Sequence, residues 1–417
     1  MILTEAALLD AGFDVFLCAT NRPTLGFGII LGPDSTTGEP MRVLICGGGV
    51  IGATIAYFLS RRGVQSIVIE RTGLACAASG KSGGFLALDW CDGTPLEPLA
   101  RRSFALHAGL PEEIGGNWGY RRLTTHGGFA GAEKTAHPRG SAYGLNWLSN
   151  GVTLNRRLGS VETTAQVHPG QFTAAMMRAA EAHGAELRLG RVAGVVRGGA
   201  GGGVQGVQVD GEIIEGDAVV IAMGPWSILA AGWLPLPGVF GLKGHSLVLE
   251  TGAKIPAEAL FLEYREATGA MQSPEVFPRA DGTTYVCAIS SESPLPANPA
   301  DVAPDPHAIE RLQAMCARVS PALGESKILT RQACYRPVTQ DGLPLIGPVP
   351  GLNGVYVATG HSVWGILNAP GTGETVAELI VDGDARAIDL SRFHPGRLST
   401  LDPTWLDRNR QMFVIDN

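Results

Sequence analysis

The chain has 417 residues, of which 17% are charged, and a formal net charge of -7. That length points to two domains rather than one small core, and the lack of a basic excess argues against a nucleic-acid partner. No run reaches the roughly 20 apolar residues that a bilayer span needs.

The opening segment carries Glu5 and Asp10 and no Lys or Arg before Arg22, the wrong polarity for a signal peptide. Residues 1–40 end in the turn-rich run Gly32 to Pro40, and Met41 opens a pattern that could itself begin a protein; they read as an N-terminal extension. Val43 to Cys46 is a short apolar run bounded by glycine, as in a buried parallel strand. From Val50 to Arg62, Ile51, Ile55, Phe58 and Leu59 recur at helical spacing, with Gly63 as a stop. Ile67 to Ile69 predicts a second buried strand ending at Glu70, which completes a βαβ unit.

Further along, Gln171 to Gly184 predicts an amphipathic helix, followed by strands over Ala185 to Leu189 and Val192 to Arg197. Gly198 to Gly203 reads as a hairpin tip and Val219 to Ala222 as another buried strand. Between about Phe240 and Ser290 the mixed polarity suggests antiparallel strands, and a helix follows over His307 to Val319. Gly354 to Thr359 predicts a strand and Thr372 to Val381 a last helix, with Gly365 and Ile366 ahead of it; His394 onwards looks like a tail. There is no convincing internal repeat. The cysteines (18, 46, 76, 91, 287, 316 and 334) form no CxxC pair and no zinc-spaced cluster. No metal is therefore expected, and reduced thiols suggest a cytoplasmic protein.

Gly47-Gly48-Gly49-Val50-Ile51-Gly52 lies between the first strand and its helix. There Gly47 allows the tight turn, Gly49 clears the approach of a pyrophosphate, and Gly52 lets helix and sheet pack closely. The helix start near Val50 and Ile51 offers free N–H groups and a positive dipole end to the phosphates. Glu70, 18 positions after Gly52, stands where a carboxylate accepts from both hydroxyls of a ribose. Arg71 could cover an adenine or simply be solvated.

Four further stretches fit this loop: Ala77 to Phe85, Val167 to Phe172, Val219 to Trp226, and the block Arg336-Pro337-Val338-Thr339-Gln340-Asp341-Gly342-Leu343-Pro344-Leu345-Ile346-Gly347-Pro348 with Ala358 to His361 and Gly365 to Gly373. Over residues 41 to about 390 the layout resembles the D-amino-acid oxidase family of FAD-dependent oxidoreductases, which includes glycine and sarcosine oxidases. With Gly83 to Trp90 it looks nearest a branch of oxidoreductases for which the family supplies no substrate. The resemblance implies an α/β fold: a Rossmann-type FAD-binding domain with a central parallel sheet (41–100, 155–235 and 330–390), plus a discontinuous substrate domain with a largely antiparallel β-sheet (101–154 and 236–329), then a tail (391–417). It implies that Ser79, Gly80, Lys81, Ser82, Gly83, Gly84 and Phe85 pass beneath the pyrophosphate and along the flavin. By the same resemblance the Val192 backbone meets the adenine edge, Gly224 lets a strand end crowd the cofactor, and Gly360, His361, Gly365 and Ile366 border the flavin.

Amine oxidation by a flavin moves the Cα hydrogen as hydride to N5, so the protein must mainly position a small amino acid or N-methylated amine. The resemblance puts Arg336 where its fork would hold a substrate carboxylate. Glycine oxidases carry a second arginine after the Gly360-His361 pair; here Ser362-Val363-Trp364 stands instead, so Trp364 would give a more apolar pocket or else belong to the core. Tyr264 is a further pocket candidate beside Trp90, while Arg279 and His168 read as structural. No cysteine follows Cys334, so FAD is expected to be non-covalent. Oxygen is the expected acceptor, giving an imine and hydrogen peroxide; the alternatives are a dehydrogenase feeding a quinone or carrier protein, and a redox-silent flavin-binding interaction module.

Overall fold

A computed structural model describes residues 41–131, 143–198, 203–408 and 413–414. The expected N-terminal extension, the middle of the glycine tip at 199–202 and most of the last nine residues lie outside them. In chain order the principal elements are β1 (Arg42–Cys46), α1 (Val50–Ser60), β2 (Gln65–Glu70), α2 (Glu97–Ile114), β3 (Thr124–Gly131), β4 (Thr153–Gly159), α3 (Pro169–Glu181), β5 (Glu186–Leu189) and β6 (Ala218–Ile221). They continue with β7 (Phe240–Glu250), β8 (Glu258–Arg265), β9 (Glu275–Pro278), β10 (Thr283–Ser291), α4 (Pro306–Val319), β11 (Lys327–Val338), β12 (Leu345–Pro348), β13 (Val355–Thr359) and α5 (Gly365–Asp382).

The first sheet runs β12-β13-β6-β1-β2-β5, parallel throughout except for the antiparallel edge strand β12. Its central strands β1 and β6 are buried on both faces, which is why they read as unbroken apolar runs. In β1 the alternation is explicit: Val43 and Ile45 join the core under the helices, whereas Leu44 and Cys46 join the core on the opposite face. The helical layer holds α1, α2, α3 and α5. A three-stranded antiparallel sheet of residues 192–197, 204–209 and 212–215 covers the other face through Val207, Val209 and Ile214.

The second sheet, of eight strands, runs β11-β7-β10-β9-β8-β3-β4, with the short strand Met271–Gln272 beside β8. It is antiparallel except for the β8–β3 pair. One face buries Leu247, Leu249, Leu260, Leu262 and Val286 against Ile309, Leu312, Met315 and Val319 of α4. Phe261, Phe277 and Tyr285, one position out of phase, lie on the opposite face, as a period of two requires.

Several boundaries differ from the sequence reading. β11 and the whole of β4 belong to the eight-stranded sheet, although residues from 330 and from 155 were assigned to the FAD domain. α2 packs on α5 in the helical layer rather than in the substrate domain, because Leu99, Ala100, Phe104 and Leu110 form one apolar stripe. α5 begins at Gly365, seven residues early, so Gly365 and Ile366 lie within the helix. Pro370, Gly371 and Gly373 are poor helix formers, so this stretch carries little local helical signal. The expected tail also docks: Phe393 is 1% exposed, and Arg397 forms a bidentate pair with Asp341 at 2.7 and 3.0 Å.

Candidate active site

Between the carboxyl ends of the parallel strands and the aromatic face of the second sheet lies a cleft of about 1550 Å³. Ordinary ligand pockets occupy about 300–1,000 Å³, so this one has room for an extended cofactor and a small second molecule. It opens at the strand ends, where ligands gather in open α/β sheets.

At one end is the glycine corner. Gly47 has φ +117°, and a Cβ there would fall 2.4 Å from the Ala222 carbonyl oxygen; at Gly52 it would fall 2.0 Å from that of Gly47. Gly49 is the N-cap of α1 and has no side chain to occupy the first-turn amides, which leaves that turn open to an anion. Ser79 Oγ accepts from the Val50 N–H at 2.8 Å, and its hydroxyl hydrogen stays available to donate. Glu70 is 8% exposed; Oε2 accepts from Gly48 N–H at 2.7 Å and Oε1 from Thr72 N–H at 2.9 Å. The carboxylate is thereby fixed at the tip of β2 with lone pairs to spare.

Most of the expected cofactor contacts line this cleft: Gly47, Gly49, Val50, Ile51, Glu70, Arg71 and Ser79 at the corner, then Ser82, Gly83, Gly84 and Phe85 along the wall. Val192, Gly224, Gly360, His361, Gly365 and Ile366 line it too. Gly52, Gly80 and Lys81 do not. Gly52 serves helix packing, Gly80 nests on the Ala75 carbonyl, and the Lys81 carbonyl accepts from Gln332 Nε2 at 3.0 Å. A Cβ at Gly224 would meet no protein atom; what demands glycine there is φ +54°. Arg71 donates to the Ala297 carbonyl at 2.6 Å. His361 is buried beside Thr372 Oγ1 at 3.0 Å, and burial lowers its pKa to about 3, so the ring is neutral.

A dinucleotide cofactor suits this wall on the protein's own evidence. The corner has no side chain in the way, and Ser82 Oγ is buried at the cleft edge with no hydrogen-bond partner among the described residues. Arg279, read as structural, donates to the Ser82 carbonyl at 2.9 Å and so shapes that wall from behind.

Across the cleft, Arg336 projects from β11. Its Nη1 donates to Ser290 Oγ at 3.2 Å, and its Nη2 lies 3.3 Å from where a Cβ of Gly244 would stand, so the missing side chain lets the guanidinium cross β7. Trp364 caps α5 and also lines the cleft, edge-on to Trp90 with ring centroids 6.4 Å apart. Trp90 packs on Phe85 and Phe261 and donates to the Leu158 carbonyl at 3.1 Å. Tyr264 is not among the lining residues. It shares the face of β8 that carries Leu260 and Leu262, and is buried toward α4. His168 caps α3, its Nδ1 accepting from Gln171 N–H at 3.3 Å.

Sequence reasoning missed Glu275, on β9, which lines the same cleft. Its carboxylate is raised in pKa by burial, offset in part by the Arg336 charge and the Cys287 thiol. The alternation of Glu275, Val276 and Phe277 was a signal that a carboxylate shares a face with an aromatic, but nothing local says that this face lines a cleft.

A Rossmann-like corner facing an arginine-bearing antiparallel sheet across a deep cleft defines a two-sheet protein of the dinucleotide-binding class. Residues 42–379 match the family described as FAD dependent oxidoreductase, and the chain belongs to that family, an enzyme class of the amino-acid and amine oxidase type. It is 30% identical over 85% of its length to a Schizosaccharomyces pombe protein named as an oxidoreductase, covering 97% of that protein. It is 27% identical to glycine oxidase of Geobacillus kaustophilus, over 84% of this chain and 95% of that one. The crystal structure of glycine oxidase from the same organism superposes with a TM-score of 0.72 at 26% identity, covering 86% of this chain and 99% of that one. Among the described residues no helix is long and apolar enough to cross a membrane.

Proposed function

We propose that the protein oxidises a small amino acid or N-methylated amine with a dissociable FAD, releasing an imine and, with oxygen, hydrogen peroxide. The observation that carries this reading is Arg336: a half-buried guanidinium with no carboxylate partner among the described residues, facing the dinucleotide corner across a cleft. An unpaired arginine in such a place is costly unless an anion arrives to share it. The glycine oxidase relative supports an amino acid as that anion.

The Gly47 to Gly49 backbone and the first turn of α1 would hold the pyrophosphate, Glu70 the ribose, and Ser79 to Phe85 the run toward the flavin. When bound, FAD supplies a hydride acceptor. The chain's own part is to orient the substrate: Arg336 fixes the carboxylate by two parallel bonds, while Trp90, Phe261 and Trp364 exclude water from the reacting carbon. The amino end of α5 would place partial positive charge beside the flavin, favouring its reduced form. Cys46, Cys76, Cys91, Cys287, Cys316 and Cys334 form no disulfide among the described residues, in keeping with the proposed cytoplasmic setting.

The test is a panel of amino acids and N-methyl amines scored by anaerobic bleaching of the visible flavin absorption. Bleaching by a member of the panel followed by peroxide under air is the expected result. Bleaching without peroxide would mean a dehydrogenase feeding a quinone or carrier protein. A holoenzyme that no amine bleaches overturns the reading. Acid precipitation should leave the yellow colour in the supernatant; a coloured pellet would mean a covalent flavin.

A further inference from the structure

The cleft face of the second sheet carries two opposite charges that do not pair. Glu275 on β9 makes no ion pair among the described residues, and its described hydrogen bond is a weak one, from Cys287 Sγ at 3.4 Å. Arg336 on β11 makes none either and donates to Ser290 Oγ. Register explains the gap. Glu275 pairs with Cys287 on β10, β10 pairs with β7, and β7 pairs with β11, so the two residues stand three strand spacings apart. That is roughly 14 Å between backbones. The side chains reach toward each other over β7 and β10, Arg336 at Ser290 and Glu275 at Cys287. They leave an interval between a cation and an anion, both lining the cleft where the substrate is proposed to sit.

Such an interval fits a small zwitterion better than any singly charged ligand. A carboxylate satisfies Arg336; the opposite end must then be a cationic nitrogen to satisfy Glu275. A neutral group in that place would leave a half-buried carboxylate with only a thiol for a partner. We infer that Glu275 receives the substrate's ammonium group and takes its proton, so that the nitrogen is neutral when the Cα hydrogen leaves. This rests on the amino-acid reading of the site. In the step one N–H bond breaks with its electron pair remaining on nitrogen, and one O–H bond forms on the Glu275 carboxylate. Nothing is oxidised or reduced, and the proton is later returned to solvent.

The setting suits a proton acceptor. Burial raises the Glu275 carboxyl from its ordinary value, offset in part by the Arg336 charge, which makes it a better proton acceptor than a solvated carboxylate. The other titratable groups of this sheet that line the cleft are Cys287 and Tyr285 on β10, Cys334 and Arg336 on β11, His245 on β7, the exposed Glu263 on β8 and the exposed Arg156 on β4. Burial raises both Cys287 and Tyr285 well above their usual values and raises Cys334, so all three are neutral; burial also lowers His245. Glu263 is solvent-exposed, so Glu275 is left as the half-buried carboxylate able to accept a proton on the sheet that carries the Arg336 guanidinium.

The experiment compares wild-type holoenzyme with Glu275→Gln, which keeps the shape and loses the charge. Two probes report binding through the shift of the flavin spectrum: 2-aminoisobutyrate, which has no Cα hydrogen to lose, and 2-hydroxyisobutyrate, which has a hydroxyl in place of the amine. Wild type should prefer the amine, and Glu275→Gln should reduce that preference by about tenfold or more while still binding the hydroxy acid. Arg336→Lys should weaken both probes alike. In anaerobic reduction by the best amine of the panel, Glu275→Gln should recover only as pH rises through the free amine's own pKa. Unchanged preference and unchanged pH profile in Glu275→Gln overturn the inference while leaving the amino-acid reading intact. Equal loss of both probes would make Glu275 a structural residue and overturns it too. If wild type binds neither probe and no amine of the panel reduces it, the amino-acid reading fails and this inference with it.

Discussion

Glu70 and Arg336 divide the proposed work between them, one at each end of the cleft. Glu70 accepts from Gly48 and Thr72 and so braces the glycine corner, and in the proposed reading its remaining lone pairs would accept from a ribose. Glu70→Ala should therefore lower FAD occupancy in purified protein, weakening flavin affinity by about ten- to a hundredfold, read from the fluorescence of released flavin. Arg336→Ala should leave the flavin in place but lower kcat/KM by at least tenfold for any carboxylate-bearing substrate, because the remaining polar groups offer no planar fork. Of the two, Glu70 was legible from spacing alone. The position of Arg336 came from a resemblance, and Glu275 from neither, since a carboxylate on an alternating strand is ordinarily a solvated one.

At the scale of elements, α5 illustrates what a local reading loses. Pro370 has no N–H, so the Ile366 carbonyl one turn earlier lacks its helical partner. His107 of α2, 0% exposed, supplies the missing donor through Nε2 at 2.8 Å, and Ser103 Oγ accepts from Gly371 N–H at 3.1 Å. A proline that reads as a helix stop is thus carried inside a helix by a neighbour 259 residues away in sequence. Burial holds His107 neutral, with its pKa lowered to about 4. Its folded-state value lies below its unfolded one, so the unfolded chain binds more protons as pH falls. The stabilisation is complete above about pH 6.5 and is lost as pH falls from there toward 4, at about 1.4 kcal/mol per pH unit. Thermal melts across that range should show the loss. They should show less of it in His107→Gln, whose amide can still donate to Ile366, and His107→Ala should cost about 1–3 kcal/mol at neutral pH.

For the whole molecule, the block from Arg336 to Pro348 matters because it leaves one sheet and enters the other. β11 belongs to the eight-stranded sheet and β12 to the first, mostly parallel sheet, and the turn at Asp341 between them is clamped by Arg397. The segment around Phe393 is consequently part of the fold: the Phe393 carbonyl accepts from Ile346 N–H at 2.9 Å while its ring is buried. Phe393→Ala should cost about 3–5 kcal/mol of stability, measured by denaturant unfolding of the holoenzyme. An unchanged midpoint would return that segment to the status of a tail.

Periodicity and glycine spacing by themselves determined the βαβ unit, the glycine corner, the acidic residue at the tip of β2 and the change to antiparallel strands. Each depends on contacts within about twenty residues, where backbone geometry dictates side-chain type. Only the tertiary structure decided that β11 joins the eight-stranded sheet, that Tyr264 turns away from the cleft, that α5 tolerates Pro370, and that Glu275 and Arg336 line one cleft with no ion pair among the described residues. Those outcomes turn on which strands become neighbours, and a carboxylate or a proline acquires its meaning from partners that the chain brings up from far away.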